Sequence, residues 1–352
     1  MEQKRDLFPD YAEAAALLDS SRNELGRRIV GQGEMIDGIL MALVAGGHIL
    51  LEGVPGLAKT LAVKSLADIT GLLFRRIQFT PDLLPADLTG TMVWEQGRGI
   101  FSVRRGPVFA NVLLADEINR APAKVQSALL EAMEERQVTI GETTYALPEP
   151  FFVLATQNPI EHEGTYALPE AQLDRFLLKL LVRYPGLEEE IRVLERDGSG
   201  IGNPGGGFPP LGQVLGIPAL EFLRRAAGGI RLDPVVARYI VSVVAATRPS
   251  GRSAFARHPA AEDSQSGPGF SDAEGLYRYI AFGASPRASI ALYRCCRIRA
   301  LFEGRNFADP EDVKAMAYPV LRHRIVLSYE AEADGLDADD IISRILSLVP
   351  VP

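Results

Sequence analysis

The pattern of apolar and polar positions divides the chain into an alternating first half and a helical second half. Short apolar runs bounded by polar residues occur at 48–53, 74–79, 111–117, 151–156 and 176–182. Such runs are typical of strands that are buried on both faces. Helical spacing of apolar positions is found at 11–28, 34–46, 60–70 and 123–136. Strands that alternate with helices predict an α/β fold with a parallel, doubly wound sheet of five strands.

Two further segments of the first half alternate around glycine and predict β-hairpins. The first spans residues 91–105 and turns at residues 97–99, and the second spans residues 137–147 and turns near Gly141. The segment 80–90 before the first hairpin contains two prolines, which exclude a long regular helix there.

After Pro185 the periodicity predicts helices only. They are expected at about 187–197, 217–228, 233–247, 273–282, 286–303, 309–329 and 338–348. Two stretches rich in glycine, proline or serine, 199–212 and 249–271, interrupt them. We therefore expect an α/β core domain over residues 1–185 and an all-α domain over residues 186–352.

The apolar run at 48–53 leads into a candidate phosphate-binding loop. The loop, Gly53–Thr60, has the Walker A pattern except that Ala58 stands where the strict pattern has glycine. Such a turn directs backbone N–H groups and a helix N-terminus at one point, where phosphate binds. Lys59 adds a positive charge for the terminal phosphates, and Thr60 adds a hydroxyl for Mg²⁺. Alanine is small enough for the backbone still to approach phosphate. The alternative is an ordinary strand–turn–helix connection.

The apolar run at 111–117 ends in two carboxylates, Asp116 and Glu117. Ligands of parallel α/β sheets bind at the carboxyl ends of the strands. Asp116 is therefore expected to hold Mg²⁺, directly or through water, and Glu117 to orient and deprotonate the attacking water. Alone, the run also fits a strand that ends in solvated acids; together with the upstream loop it indicates an ATPase.

Three more polar residues are candidates for contact with the nucleotide. Asn158 follows the fourth strand, so the sheet is expected to place it beside Asp116, where an amide holds water or a γ-phosphate oxygen. Arg175 precedes the fifth strand and either reaches a nucleotide in another subunit or pairs locally with an acid such as Asp174. Arg287 lies in the first turn of a helix capped by Ser285, where the helix dipole disfavours a cation unless phosphate or a carboxylate is near.

Composition narrows the classes of protein that remain. The chain has 352 residues and a formal net charge of −8, which argues against a general nucleic-acid binder. It contains no uncharged apolar run of about 18 residues, so no membrane-spanning helix is expected. The charged N-terminus lacks the apolar segment of a signal peptide, and the adjacent Cys295 and Cys296 fit packing on a helix in a reducing compartment. A cytoplasmic protein is expected.

Together these segments resemble the MoxR family of AAA+ ATPases. The matching segments are Gly53–Thr60, Gln78–Asp87, Asp116–Ala121, Ala155–Pro159, Leu173–Phe176 and Gly283–Arg287. They follow the order of the family over nearly the whole chain, and Ala58 is the residue that the family carries. The resemblance implies a P-loop αβα core, an α-helical lid, and a homo-oligomeric ring, most often hexameric, with ATP and Mg²⁺ at a subunit boundary.

The resemblance also assigns roles to residues. The nucleotide would be bound by Val30, Gly31, Pro55, Gly56, Leu57, Ala58, Lys59, Thr60 and Leu61. Thr60 and Asp116 would serve Mg²⁺, and Glu117 would activate water. Asn158 would be the polar sensor, Arg175 a finger acting on a neighbour, and Arg287 the lid sensor. The two hairpins would correspond to the helix-2 insert and the pre-sensor insert, which face the central pore in related rings.

The resemblance implies a chaperone that uses ATP to remodel or mature client proteins, often with a von Willebrand factor A partner. Because the chain is acidic, no stable contact with nucleic acid is expected. Three alternatives remain open from the sequence: a nucleic-acid-associated motor related to helicases, a small-molecule phosphotransferase that uses the same loop, and a nucleotide-gated scaffold with negligible hydrolysis.

Overall fold

The computed structural model describes residues 10–97, 99–159, 165–198, 210–249 and 275–352. The predicted loose stretches at 199–212 and 249–271 fall outside these residues, apart from 210–212 and 249. The described chain forms two compact units. One contains residues 13–225, and the other contains residues 226–352 together with residues 10–12. The domain boundary expected after residue 185 stays a prediction.

The helices and strands follow one another in the order that the apolar pattern predicts for most of the chain. The helices are α1 (Tyr11–Gly26), α2 (Gly33–Ala45), α3 (Lys59–Thr70), α4 (Pro85–Thr89), α5 (Ala123–Glu135), α6 (Glu170–Leu173), α7 (Leu187–Gly198), α8 (Ile217–Gly229), α9 (Pro234–Ala246), α10 (Pro286–Phe302), α11 (Pro310–Leu321), α12 (Tyr329–Ala333) and α13 (Ala338–Leu348). The strands are β1 (Ile49–Glu52), β2 (Phe74–Gln78), β3 (Gly90–Glu95), β4 (Ile100–Arg105), β5 (Val112–Asp116), β6 (Gln137–Ile140), β7 (Thr143–Ala146), β8 (Phe152–Gln157), β9 (Leu178–Leu181), β10 (Arg231–Leu232), β11 (Ile280–Phe282), β12 (Phe307–Ala308) and β13 (Val326–Leu327).

A five-stranded sheet in the order β2-β5-β8-β1-β9 forms the centre of the first unit. Every neighbouring pair is parallel, which confirms the predicted sheet. The apolar side chains of β1, β5 and β8 are buried because helices cover both faces of a parallel sheet. Since all strands run in one direction, the carboxyl ends of β1, β5 and β8 meet at one edge of the sheet.

Both predicted hairpins are present, as the antiparallel pairs β3–β4 and β6–β7. The first hairpin exposes several large apolar side chains. Trp94 and Phe101 face each other across the strands with ring centroids 4.9 Å apart, and both are exposed. Such a pair stabilises a hairpin at its surface and leaves apolar area in contact with water.

The second unit is helical but not purely so, and the prediction of helices only was wrong there. Strand β10 pairs with β12 in parallel, and β11 pairs with β13 in antiparallel fashion. The helix expected at 273–282 is replaced by β11 at its end, and residues 271–274 lie outside the described chain. The helix expected at 309–329 ends at Leu321, and β13 and the short α12 follow it.

Cys295 and Cys296 lie on α10, and both are fully buried, as the sequence predicts for packing residues. Burial raises the pKa of the Cys295 thiol to about 12 and also raises the pKa of Cys296. Among the helices of the described residues, none is long and apolar enough to cross a membrane. The cytoplasmic location stays a prediction.

Candidate active site

The loop between β1 and α3 has the geometry of an anion-binding turn. Gly56 has a φ of 90° and Ala58 a φ of 55°, so both lie in the left-handed region. Ala58 tolerates this conformation at a cost of about 1 kcal/mol, which glycine would not incur. Helix α3 begins at Lys59, directly after Ala58. The loop therefore leads the N-terminus of a twelve-residue helix to the edge where β1 ends.

The side chain of Lys59 is almost fully buried, with 9% of its surface exposed. Its Nζ donates a hydrogen bond to the backbone oxygen of Gly53, at the start of the loop. Burial lowers the pKa of Lys59, and the nearby carboxylates of Asp116, Glu117 and Glu52 oppose that shift. The structure thus brings the lysine of the loop within electrostatic reach of both acids that end β5.

The two acids are joined by a threonine that the sequence analysis did not single out. Thr156 lies near the end of β8, the neighbour of β5, and is 1% exposed. Its Oγ1 donates to Asp116 Oδ1 over 2.6 Å and accepts from the backbone N–H of Glu117 over 2.8 Å. Glu117 has a φ of 55°, a strained conformation that recurs at functional sites.

Three side chains contact the remaining carboxylate oxygens of the two acids. Arg76 donates to Asp116 Oδ2 from Nε over 3.1 Å and from Nη2 over 2.7 Å. Gln78 Nε2 donates to Glu117 Oε2 over 2.7 Å, and Arg120 Nη1 donates to the same oxygen over 3.0 Å. Arg76 and Gln78 lie on β2, which pairs with β5 so that Gln78 is opposite Asp116.

Sequence reasoning missed Thr156, Arg76 and Gln78. Each is ordinary in its local segment and becomes relevant only through strand order and register, because β5 lies between β2 and β8. One signal was present for Gln78 and Thr156, which lie in the family-matching segments Gln78–Asp87 and Ala155–Pro159, but no role was attached to either residue.

The other predicted site residues are placed as follows. Asn158 is buried and follows β8, which lies between β5 and β1 at the edge where Lys59 and the acids meet. Arg175 Nε pairs with Glu134 Oε2 of α5 over 2.9 Å, an acid that the sequence analysis did not consider. Arg287 belongs to the other unit and is exposed in the first turn of α10, where Ser285 caps the helix as predicted. The roles of these three residues stay predictions.

Val30 and Gly31 lie in the connection between α1 and α2. Gly31 has a φ of 70°, and a Cβ at this position would come within 2.4 Å of Glu189 Oε2. Glycine is favoured there because L side chains rarely adopt this backbone conformation, and a Cβ would also displace the Glu189 carboxylate. Next to it, Gln32 Nε2 donates to the backbone oxygen of Arg183 over 3.0 Å. The segment is thereby fixed against the residues that follow β9.

The donor set at this edge fits a nucleotide with Mg²⁺. Thr60 offers a hydroxyl in the first turn of α3, and Asp116 offers a carboxylate at the end of β5. Among the described residues, no group of three or more His, Cys, Asp or Glu side chains forms a metal cage. A site with one carboxylate, one hydroxyl and phosphate oxygens is typical of Mg²⁺, which retains several waters.

Comparison with known proteins identifies the family. Residues 48–178 match the model of the ATPase family associated with various cellular activities (AAA), and residues 277–345 match an AAA lid domain. The chain is 47% identical over 329 residues to the chaperone MoxR1 of Mycobacterium tuberculosis, a match that covers 94% of this chain and 81% of MoxR1. The chain belongs to the MoxR family of AAA+ ATPases. It is an ATPase with an AAA+ α/β core and a lid, as predicted from the sequence.

Two further relatives match this chain over almost its whole length. YeaC of Bacillus subtilis is 41% identical over 352 residues, which cover 100% of this chain and 98% of YeaC. A crystal structure from Cytophaga hutchinsonii, assigned as an ATPase, superposes with a TM-score of 0.84 at 45% identity over 97% of each chain. The fold is therefore shared over both units and not only over the nucleotide-binding loop.

Proposed function

We propose that this MoxR-family ATPase binds Mg²⁺ and ATP at the edge formed by β1, β5 and β8, and that hydrolysis drives remodelling of client proteins. The observation that supports this most strongly is the buried Lys59 within electrostatic reach of Asp116 and Glu117. A buried ammonium at a helix N-terminus, with two carboxylates within electrostatic reach, is suited to a polyphosphate that carries its own metal ion.

The residues of the site have distinct roles in this proposal. Among the loop residues Pro55 to Leu61, those from Gly56 onward hold the phosphates through their backbone N–H groups, while Pro55, which has no N–H, shapes the turn. Lys59 neutralises the terminal phosphates. Thr60 and Asp116 hold Mg²⁺, which supplies charge neutralisation when bound. Glu117 orients the attacking water and accepts its proton, and Asn158 hydrogen-bonds the water or a γ-phosphate oxygen. Val30 and Gly31 line the adenine site.

A substitution at Glu117 tests the assignment of the base. Glu117→Gln keeps the shape of the side chain but removes the proton acceptor, so turnover should fall by about 100-fold or more while ATP binding is retained. Turnover is measured by phosphate release and binding by calorimetry. Glu135→Gln, an exposed position at the end of α5, is the matched control and should leave both unchanged. Equal turnover in Glu117→Gln and the parent would remove Glu117 from the mechanism.

The proposal extends to assembly and to clients. We infer a homo-oligomeric ring, hexameric as the family resemblance implies. In this ring Arg175 acts as the finger on a neighbour's nucleotide, and Arg287 acts as the lid sensor. The exposed Trp94–Phe101 pair of the first hairpin supplies apolar area for contact with a client or with a von Willebrand factor A partner. One relative, MoxR1 of Mycobacterium tuberculosis, is named a chaperone, which supports the remodelling role.

Capture on a slow variant tests the remodelling role. Glu117→Gln is expected to hold ATP and to retain clients, which are then identified by mass spectrometry after affinity purification. The same variant with Trp94→Ser and Phe101→Ser should lose those clients while it still binds ATP. If the same proteins co-purify with the doubly substituted hairpin, the hairpin does not contact them. The nucleic-acid-associated motor is not favoured, since MoxR1 and YeaC match 94% and 100% of this chain and neither is named a helicase.

A further inference from the structure

Arg76 makes the closest charged contact to Asp116. Its Nε and Nη2 both donate to Asp116 Oδ2, over 3.1 Å and 2.7 Å, while Thr156 occupies Oδ1 over 2.6 Å. The Asp116 side chain is 14% exposed and the Arg76 side chain 49% exposed. Both oxygens of the carboxylate are thus engaged by protein donors, one neutral and one positively charged.

The Arg76 contact belongs to a closed circuit of hydrogen bonds around both acids. Arg76 Nη2 also donates to Gln78 Oε1 over 2.9 Å, and Gln78 Nε2 donates to Glu117 Oε2 over 2.7 Å. The backbone N–H of Glu117 donates to Thr156 Oγ1 over 2.8 Å, and Thr156 Oγ1 in turn donates to Asp116 Oδ1, which closes the circuit. Such a circuit couples the orientation of its members, because each donor is held by the next acceptor.

The chemistry of Asp116 gives this contact a consequence for the metal. A carboxylate supports Mg²⁺ by offering lone pairs to the ion or to its bound water. A guanidinium on the same oxygen competes for those lone pairs and also repels a divalent cation. The Thr156 hydroxyl is neutral, so it competes less for the lone pairs of Asp116 and does not repel the cation.

We propose that Arg76 is a positioning residue that tunes the affinity of the site for Mg²⁺ by occupying Asp116 Oδ2. This inference rests on the proposed function, since it takes Asp116 as the residue that supports the metal. Arg76 would hold the carboxylate in one orientation and weaken its hold on Mg²⁺. Loss of the guanidinium should therefore strengthen the metal site.

An equilibrium titration tests the inference without measuring turnover. Mg²⁺ is added to the full-length protein with mant-AMPPNP, a fluorescent ATP analogue that is not hydrolysed, and the half-saturating Mg²⁺ concentration for fluorescence is recorded. Arg76→Gln should lower that concentration by about three- to fivefold, as expected for a partly exposed ion pair. Arg75→Gln removes the same charge from the neighbouring position of β2, whose side chain points to the opposite face of the sheet, and should leave it unchanged.

A second variant keeps the inference testable if Arg76→Gln does not fold. Arg76→Lys retains the charge but cannot donate from two nitrogens to Asp116 and reach Gln78, so its half-saturating Mg²⁺ concentration should lie between those of Arg76→Gln and the parent. Circular dichroism melting establishes that each variant is folded. The inference is overturned if the folded Arg76 variants have the same half-saturating concentration as the parent, or a higher one. Absence of any Mg²⁺-dependent binding in the parent would instead refute the proposed function.

Discussion

Lys59 is a residue whose charge serves ligand binding but is unfavourable for the stability of the nucleotide-free fold. Its ammonium is nearly buried, and burial lowers its pKa, which means that the folded chain without nucleotide disfavours the charged form. The three nearby carboxylates offset part of that cost, and a bound polyphosphate would offset more. Residues of this kind are held for their ligand and not for the fold.

Replacement of this lysine should therefore separate binding from stability. Lys59→Met has a similar length and no charge, so the nucleotide-free protein is expected to melt at the same temperature as the parent or higher. The rise in melting temperature that ATP and Mg²⁺ cause in the parent should disappear. Differential scanning fluorimetry with and without ATP measures both quantities. A lowered melting temperature without nucleotide would show that Lys59 stabilises the fold.

His48 is a buried residue whose titration should be visible in stability. Its Nδ1 accepts from the backbone N–H of Val153 over 3.0 Å, so its Nε2 donates to the backbone oxygen of Met133 over 3.2 Å. The contact with Val153 requires the neutral ring, because only an unprotonated Nδ1 accepts a hydrogen bond. Burial lowers the pKa of His48 from 6.5 to about 4. Below pH 6.5 the unfolded chain binds a proton that the folded chain does not, so the folded state loses stability as the pH falls toward 4.

The expected loss is roughly 3 kcal/mol between neutral pH and pH 4, from a pKa shift of between two and three units. Urea unfolding at pH 7.0 and at about pH 4 measures the free energy of unfolding. His48→Asn keeps an acceptor for Val153 but does not titrate in this range, so it should show a smaller decrease. The same decrease in both proteins would mean that other groups cause it.

At this scale the sequence predicted the residues that carry a local signature and missed those that depend on register. Lys59, Thr60, Asp116 and Glu117 follow from a glycine-bearing turn and an acid-ended strand. Thr156 and Gln78 are linked to the acids by the order β2-β5-β8, which is not readable from any one segment. For Arg175 the sequence left a local pair with Asp174 or Glu170 open, but its partner in the structure is Glu134, which is distant in sequence.

A buried ion network fixes the elements of the second unit. Asp312 in the first turn of α11 is 1% exposed, and its carboxylate accepts from Arg305 Nη1 over 2.9 Å and Nη2 over 2.7 Å. It also accepts from the backbone N–H of Asp309 over 2.9 Å, and Arg299 of α10 lies within 3.3 Å. One carboxylate thereby joins the end of α10, the residues on either side of β12 (Arg305 and Asp309) and the start of α11.

Removal of this carboxylate should destabilise the unit strongly. Asp312→Ala leaves two arginines without their buried partner and removes half of a helix capping box, so the free energy of unfolding should fall by about 3–5 kcal/mol. Chemical denaturation followed by circular dichroism measures the change. Glu311→Ala is the matched control one residue earlier, since its pair with Lys314 is exposed and is worth at most about 0.5 kcal/mol. Similar losses in the two variants would contradict the importance of the network.

Helices of three or more turns were predicted within a few residues, except that the helix expected at 309–329 ends at Leu321, whereas very short strands were not predicted at all. The pairs β10–β12 and β11–β13 contribute two or three residues each, too few for an alternation to be recognised. Their strands form because segments far apart in sequence meet, as when the N–H of Ser328 donates to the oxygen of Tyr279. The fold class follows from periodicity, but these pairings follow only from tertiary structure.

At the scale of the whole molecule, the role of Arg175 is the main test of the proposed ring. Its ion pair with Glu134 is partly exposed, with 30% and 35% of the two side chains accessible, so it contributes little to stability. Arg175→Ala should abolish turnover if the guanidinium acts on a neighbour's nucleotide. Glu134→Gln breaks the same ion pair but keeps the guanidinium, so this variant should retain turnover.

Mixing of two inactive variants distinguishes action on a neighbour from action within one chain. When Arg175→Ala subunits are mixed with Lys59→Met subunits, some interfaces combine an intact Lys59 with an intact Arg175 from the next subunit, and part of the turnover should return. Lys59→Met mixed with Glu117→Gln should not recover, because both substitutions affect the same side of the interface. Failure of the first mixture to recover, although the subunits assemble, would place Arg175 outside the neighbouring site.

Trp94 is the one tryptophan in the chain, and it sits on the exposed first hairpin beside Phe101. The natural emission of the protein between about 320 and 355 nm is therefore dominated by a single, known position on the surface. No fluorescent label has to be attached, and no second tryptophan contributes to the emission. A shift toward shorter wavelengths on addition of nucleotide, or of a candidate client, would show that water has left this hairpin, and stopped-flow mixing would give the speed of that event.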